Sequence, residues 1–139
     1  PEVAAAAPET PVAEAAPVAE AAAPEAAKAV MGTFGARKVL FINFLSEIQP
    51  ECDCMPAADV PVMQDAGVMV SDDLVSIEQA SIDMLLKSKA LPGSLAADKH
   101  SGVSEDVLMH LHNVPYQLQV DEASRLGLGD RQYDLIDVG

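Results

Sequence analysis

The chain has 139 residues, with 22 acidic against 8 basic side chains, a formal net charge of −14, 4 % aromatics and no Trp. Such a length suits one domain, and its core must be aliphatic, which favours layered α/β packing over an aromatic-rich barrel. So acidic a surface repels phosphate backbones and anionic lipid, so neither nucleic acid nor a membrane surface is an expected partner.

Residues 1–30 are low-complexity Ala/Pro/Glu, with proline at 1, 8, 11, 17 and 24, five Glu and one Lys. Prolines interrupt helices, Ala offers little to bury and the Glu residues repel one another. The expectation is a flexible, disordered N-terminal linker that tethers the rest, with a helical turn or two between prolines. Residues 31–139 then form a single α/β domain. The lack of an initiator Met and the linker-like beginning suggest a piece of something longer.

Residues 31–38 (MGTFGARK) are a Gly-punctuated entry without the Lys-Ser/Thr step of a phosphate loop. Residues 39–45 (VLFINFL) are a continuous apolar run. That run reads as a strand buried on both faces, and it is far too short to cross a bilayer. Residues 46–65 contain Pro50, Pro56, Pro61 and both cysteines, and a loop of such length in a small domain is usually functional. Residues 67–70 (GVMV) read as a second buried strand. A helix over 73–88 follows, capped by Ser71 or Asp72, with Leu74, Ile77, Ser81, Met84 and Leu85 on one stripe. Leu91-Pro92-Gly93 breaks it. A helix over 104–112 capped by Ser104, a third over 116–126 stopped by Gly127, and a terminal strand over 133–138 (YDLIDV) complete the order. The whole is a small layered α/β domain with a few buried strands and about three helices.

Cys52-Asp53-Cys54 is the stretch most suited to chemistry. Thiolates bind borderline or soft metals and iron–sulfur clusters, sites that normally need four ligands. Two thiols are half of such a set, so a full site must borrow histidine, carboxylate or another chain. A disulfide between them would close a small, strained ring. Glu51 and Asp53 raise thiol pKa by like-charge repulsion, which argues against a nucleophilic cysteine unless a cation is bound. On spacing alone, two partly buried free thiols are the favoured reading. With no secretory signal visible, two Cys read as cytoplasmic thiols or ligands.

His100, His110 and His112 are the only imidazoles, and 110 and 112 would point roughly 200° apart on a helix. Gln79 and Asp83, spaced i, i+4, share a helix face. They are either a solvated pair or a polar pair turned towards the Cys loop. Gly127-Leu128-Gly129 is a helix stop, too short for a dinucleotide fingerprint.

From Phe41 onward, a strand ending in Asn43-Phe44, the loop PECDC, the step DVP, then DAGV and the helix DLVSIEQASID resemble one family. It is the C-terminal part of the domain of unknown function 362 family, and the tail EASRLGLGDRQYDLI is similar too, so the likeness runs over about 39–138. The resemblance implies a ferredoxin-like, iron–sulfur-associated protein and carries over onto Asn43, Cys52, Asp53, Cys54, Asp59, Pro61, Asp65, Gly67, Gln79 and Asp83. The pattern departs at Ala57, where an aromatic is expected, and at Leu74, where Pro is expected. Longer members carry a preceding domain and inserted ferredoxin-type Cys-x-x-Cys clusters, which this sequence lacks; that argues against electron transfer by this chain alone. The expectation is a metal- or iron–sulfur-associated redox accessory module. Cys52 and Cys54 would be its ligands, Asp59 and Asp65 further metal ligands, and Asp53, Gln79 and Asp83 other candidates. A partner protein or a missing N-terminal domain would complete the centre. Two alternatives stay open: a cofactor-free interaction domain tethered to a larger assembly, and an enzyme using the Asp-rich loop with a divalent metal.

Overall fold

A computed structural model describes residues 16–35, 37–51, 56–99, 106–112 and 114–139. Five helices and one two-stranded sheet make up the described part, mixed α and β as the sequence leads one to expect.

Helix α1 spans Ala16–Met31, within the segment read as linker. Ala is the strongest helix former, and Pro17 falls in the first turn, where a missing N–H costs nothing. Pro24 lies inside the helix and is buried. The face carrying Ala23, Pro24 and Ala27 lies over Leu74, Val75, Val120 and Ala123, leaving a cavity of about 140 Å³. Tertiary packing thus offsets the proline that local reasoning took as a helix breaker.

Strands β1 (Phe41–Leu45) and β2 (Gly67–Ser71) pair antiparallel, with Ile42 opposite Val70, Asn43 opposite Met69 and Phe44 opposite Val68. Gly67, at φ 120°, starts β2 in a conformation closed to L side chains. The expectation that both strands are buried on both faces is corrected. One face meets α2 (Leu74–Lys87), while Ile42, Phe44, Val68 and Val70 are exposed on the other. The described residues supply a covering layer on one side only.

Helix α2 is capped by Asp73 rather than Ser71 or Asp72: its side chain accepts from Ser76 N at 2.8 Å. Ser71 Oγ instead accepts from Asp73 N at 3.0 Å. The buried stripe is Val75, Ile77, Ala80 and Ser81: Ile77 and Ser81 are buried as expected, whereas Leu74, Met84 and Leu85 are half-buried and Val75 and Ala80 take the core positions. A short helix that the sequence reading did not anticipate, α3 (Leu95–Lys99), precedes α4 (Val107–His112) and α5 (Gln117–Arg125). The expected cap Ser104 lies outside the described residues; Asp106 Oδ1 accepts from Met109 N at 3.0 Å. Gly127, at φ 75°, ends α5 as expected.

Two small cores result. Val62, Met63, Ala96, Val107 and Leu111 form one, joined by Ile48, Leu85, Ala90 and Leu108. Val75, Val120 and Ala123 form the other, joined by Ile82 and Leu128. Residues 133–138 are not a strand; Leu135, Ile136 and Val138 are exposed. A strand needs a paired edge, and the tail is instead drawn onto α2 through Asp130, Arg131 and Tyr133.

Candidate functional site

The loop between β1 and β2 is closed at its base by backbone pairing. Ala66 N donates to Leu45 O at 2.7 Å and Val62 N to Ile48 O at 2.8 Å. Between those rungs, Glu47 N donates to Asp65 Oδ1 at 2.9 Å. The returning stem is tied to the chain beyond α2: Leu91 N donates to Val62 O at 2.9 Å, and Met63 bridges Ala90. Val62 and Met63 are fully buried. Residues 49–61 therefore stand on a base fixed in the larger core. Two non-glycine residues of the loop lie in the left-handed region, Glu47 at φ 49° just before this span and Asp59 at φ 66° within it. Such residues are uncommon and persist where surrounding contacts hold them.

Cys52, Asp53 and Cys54 lie outside the described residues. Asp59 is exposed, and its Oδ1 accepts from Val60 N at 2.7 Å. Asp65, also exposed, caps the loop base through Glu47 N. That contact gives it a structural task besides any metal role. Among the described residues no group of three or more His, Cys, Asp and Glu could hold a metal ion. His110 and His112 are on α4, and His100 lies outside the described residues.

Gln79 and Asp83 do share a face, as their spacing requires, and Gln79 Nε2 donates to Asp83 Oδ1 at 2.8 Å. Their other partners come from the C-terminal tail. Arg131 Nε donates to Gln79 Oε1 at 2.8 Å and its Nη2 to the same oxygen at 2.5 Å, while Nη1 pairs with Asp121 of α5. Tyr133 OH donates to Asp83 Oδ2 at 2.8 Å. That hydrogen bond, with some burial, pushes the Tyr133 phenol above its ordinary range. Across the sheet-facing side of α2, Asn43 Nδ2 donates to Ser81 Oγ at 3.0 Å and to Glu78 Oε1 at 3.2 Å. Ser81 Oγ in turn donates to Ile77 O at 2.7 Å.

A groove of about 420 Å³ between α2, α4 and α5 is lined by the apolar Ile82, Leu108, Val114 and Val120 and by Tyr116, Glu78 and Gln119. Tyr116 OH donates to Asp106 Oδ2 at 2.7 Å, and burial first, then that bond, push its pKa up. Both tyrosines therefore stay protonated at neutral pH.

A family model described as domain of unknown function (DUF362) matches residues 12–83, just over half of the chain. The chain belongs to the DUF362 family. The matched region takes in α1, both strands, the whole Cys loop and α2 as far as Asp83; α3, α4, α5 and the tail lie beyond it. The DUF362 match thus begins earlier than the resemblance read from the residues and ends earlier. Neither a curated protein nor a solved structure matches the chain. No described helix is long and apolar enough to cross a membrane.

Arg131, Tyr133, Tyr116, Asp106 and Asp121 were not singled out by sequence reasoning. The usable signal is Arg131 itself, a cation flanked by Asp130 and Asp134 just after a helix stop in a chain of 22 acids and 8 bases.

Proposed function

We propose that this DUF362 chain is an accessory module that presents the Cys52–Cys54 loop as part of a metal or iron–sulfur centre, with the remaining ligands coming from a partner. The observation that carries this reading is the clamped loop base: five contacts and two buried anchors, Val62 and Met63, fix both stems of residues 49–61. A loop with no task beyond connection has no need of such definition.

The donor set fits half a site. Two thiolates suit zinc, another borderline metal, or one side of a cluster. Asp59 is the described carboxylate nearest to them on the C-terminal side, and one of its oxygens is already oriented by Val60 N. Hydrogen-bonded carboxylates are common among metal ligands, so that bond favours a fixed donor. Asp65 serves better as the residue that holds the stem. A bound centre would supply redox or Lewis-acid chemistry; what this chain does is hold two sulfurs and a carboxylate in one presented loop. Gln79 and Asp83 are positioning residues that anchor the tail. We place the module in the cytoplasm, in keeping with thiols used as ligands, and with a protein rather than a nucleic acid or membrane as partner.

Anaerobic purification followed by metal analysis and visible absorption tests the proposal. Metal or colour that falls with Cys52→Ser or Cys54→Ser is expected. Metal-free, colourless protein that is unchanged by either substitution would contradict it and favour a cofactor-free interaction domain.

A further inference from the structure

The open face of the sheet carries four exposed apolar side chains that no other described element covers. Direct pairing places Ile42 opposite Val70 and Phe44 opposite Val68, so the four side chains form one contiguous square. Their exposures are 50, 59, 69 and 58 % in that order, unusual for the outward face of a sheet whose other face is packed. No charged residue lies within either strand. Contiguous exposed apolar patches of a few hundred Å² mark interaction surfaces on monomers.

We infer that this face docks an amphipathic helix, apolar on the contact side and basic along its flanks. Size is the first argument. Five strand residues span roughly 17 Å, and a three-turn helix of about 11 residues has the same length. A helix would complete a layer opposite α2, the usual way of covering both faces of a sheet. Area and charge argue against a second copy. A stable protein–protein interface buries about 800 Å² and about 20–30 residues per partner, far more than four side chains supply. A copy would also bring a further net charge of −14 against the same charge. Charge complementarity sets the flanks. Glu47 and Asp65 are exposed where β1 ends and β2 begins, so basic residues of the helix meet acids at that end. The inference is independent of any metal at Cys52 and Cys54.

The test uses two 14-residue synthetic helices with the same leucine stripe, one with lysines on its other positions and one with glutamates. Binding is followed by fluorescence anisotropy, and the contact surface by amide chemical shifts. The lysine helix is expected to bind, with shifts centred on Ile42, Phe44, Val68 and Val70, and at least tenfold more weakly to Phe44→Glu and Val68→Lys. Both side chains are more than half exposed, so these variants keep the fold, as circular dichroism would verify. Three outcomes overturn the inference: neither helix binds; both bind alike; or sedimentation shows a dimer that Phe44→Glu abolishes. The last would assign the face to a second copy.

Discussion

Gly129→Ala is expected to act on a residue 56 positions away. A Cβ at 129 would fall 2.7 Å from Asp73 Oδ2 and closer still to Oδ1. Asp73 is not free to move aside: Oδ1 accepts from Ser76 N at 2.8 Å and Oδ2 from Asp130 N at 3.1 Å. The first bond caps α2 and the second pins the tail to it. Losing a cap costs about 1 kcal/mol, and losing the exposed bond to Asp130 roughly another 1 kcal/mol. Gly129→Ala should therefore cost about 2 kcal/mol, close to the cost of Asp73→Ala. The two should not add, because the alanine side chain in the double variant occupies the space that the carboxylate has left. Urea unfolding of wild type, both single variants and the double variant measures this, with midpoints falling by about 1 M for each single change. Additive losses, or a Gly129→Ala variant as stable as wild type, would refute the reasoning.

Other consequences are equally direct. Met63→Ala, at a fully buried position, should destabilise by about 2–5 kcal/mol in urea unfolding and loosen the stem of the Cys loop. Arg131→Ala removes two bonds to Gln79 and the pairing with Asp121; amide exchange in residues 130–133 should speed up by at least tenfold while the sheet amides keep their protection. The raised pKa values of Tyr116 and Tyr133 mean that their protonated forms are favoured by folding. That contribution is complete below the ordinary tyrosine value of about 10 and is lost as pH rises through the folded values. Between neutrality and strong alkali, Tyr116→Phe/Tyr133→Phe should lose less stability than wild type, as alkaline melting curves would show.

Periodicity and turn chemistry made much of the fold legible in advance. VLFINFL and GVMV become the two strands, and the apolar spacing from Asp73 onward becomes α2. Gly127 stops α5 because only a residue free of Cβ sits easily at its φ. What was not legible depends on packing between distant segments. Pro24 breaks a helix in isolation, yet α1 runs through it because that face is buried against α2 and α5. The alternation in YDLIDV marks a strand, but Tyr133 and Arg131 tie the segment to a helix face instead of a sheet edge. The uniform apolarity of β1 suggested burial on both sides, and the structure leaves one side open. For the site, the i, i+4 spacing of Gln79 and Asp83 placed them together correctly. No spacing rule could reveal that their partners lie about 50 residues further on. The loop was recognised from its prolines and length, whereas its clamped base depends on backbone bonds that only the fold creates.

The most direct test of the proposed role is an anaerobic cobalt titration of the full chain, of its Cys52→Ser and Cys54→Ser variants and of the double variant, read by thiolate-to-cobalt charge-transfer absorption. A ligand-presenting loop predicts a saturable band in the wild type, reduced by about half in each single variant and absent from the double variant. A wild type that shows no thiolate band at any cobalt concentration, or variants that match it, would contradict the account.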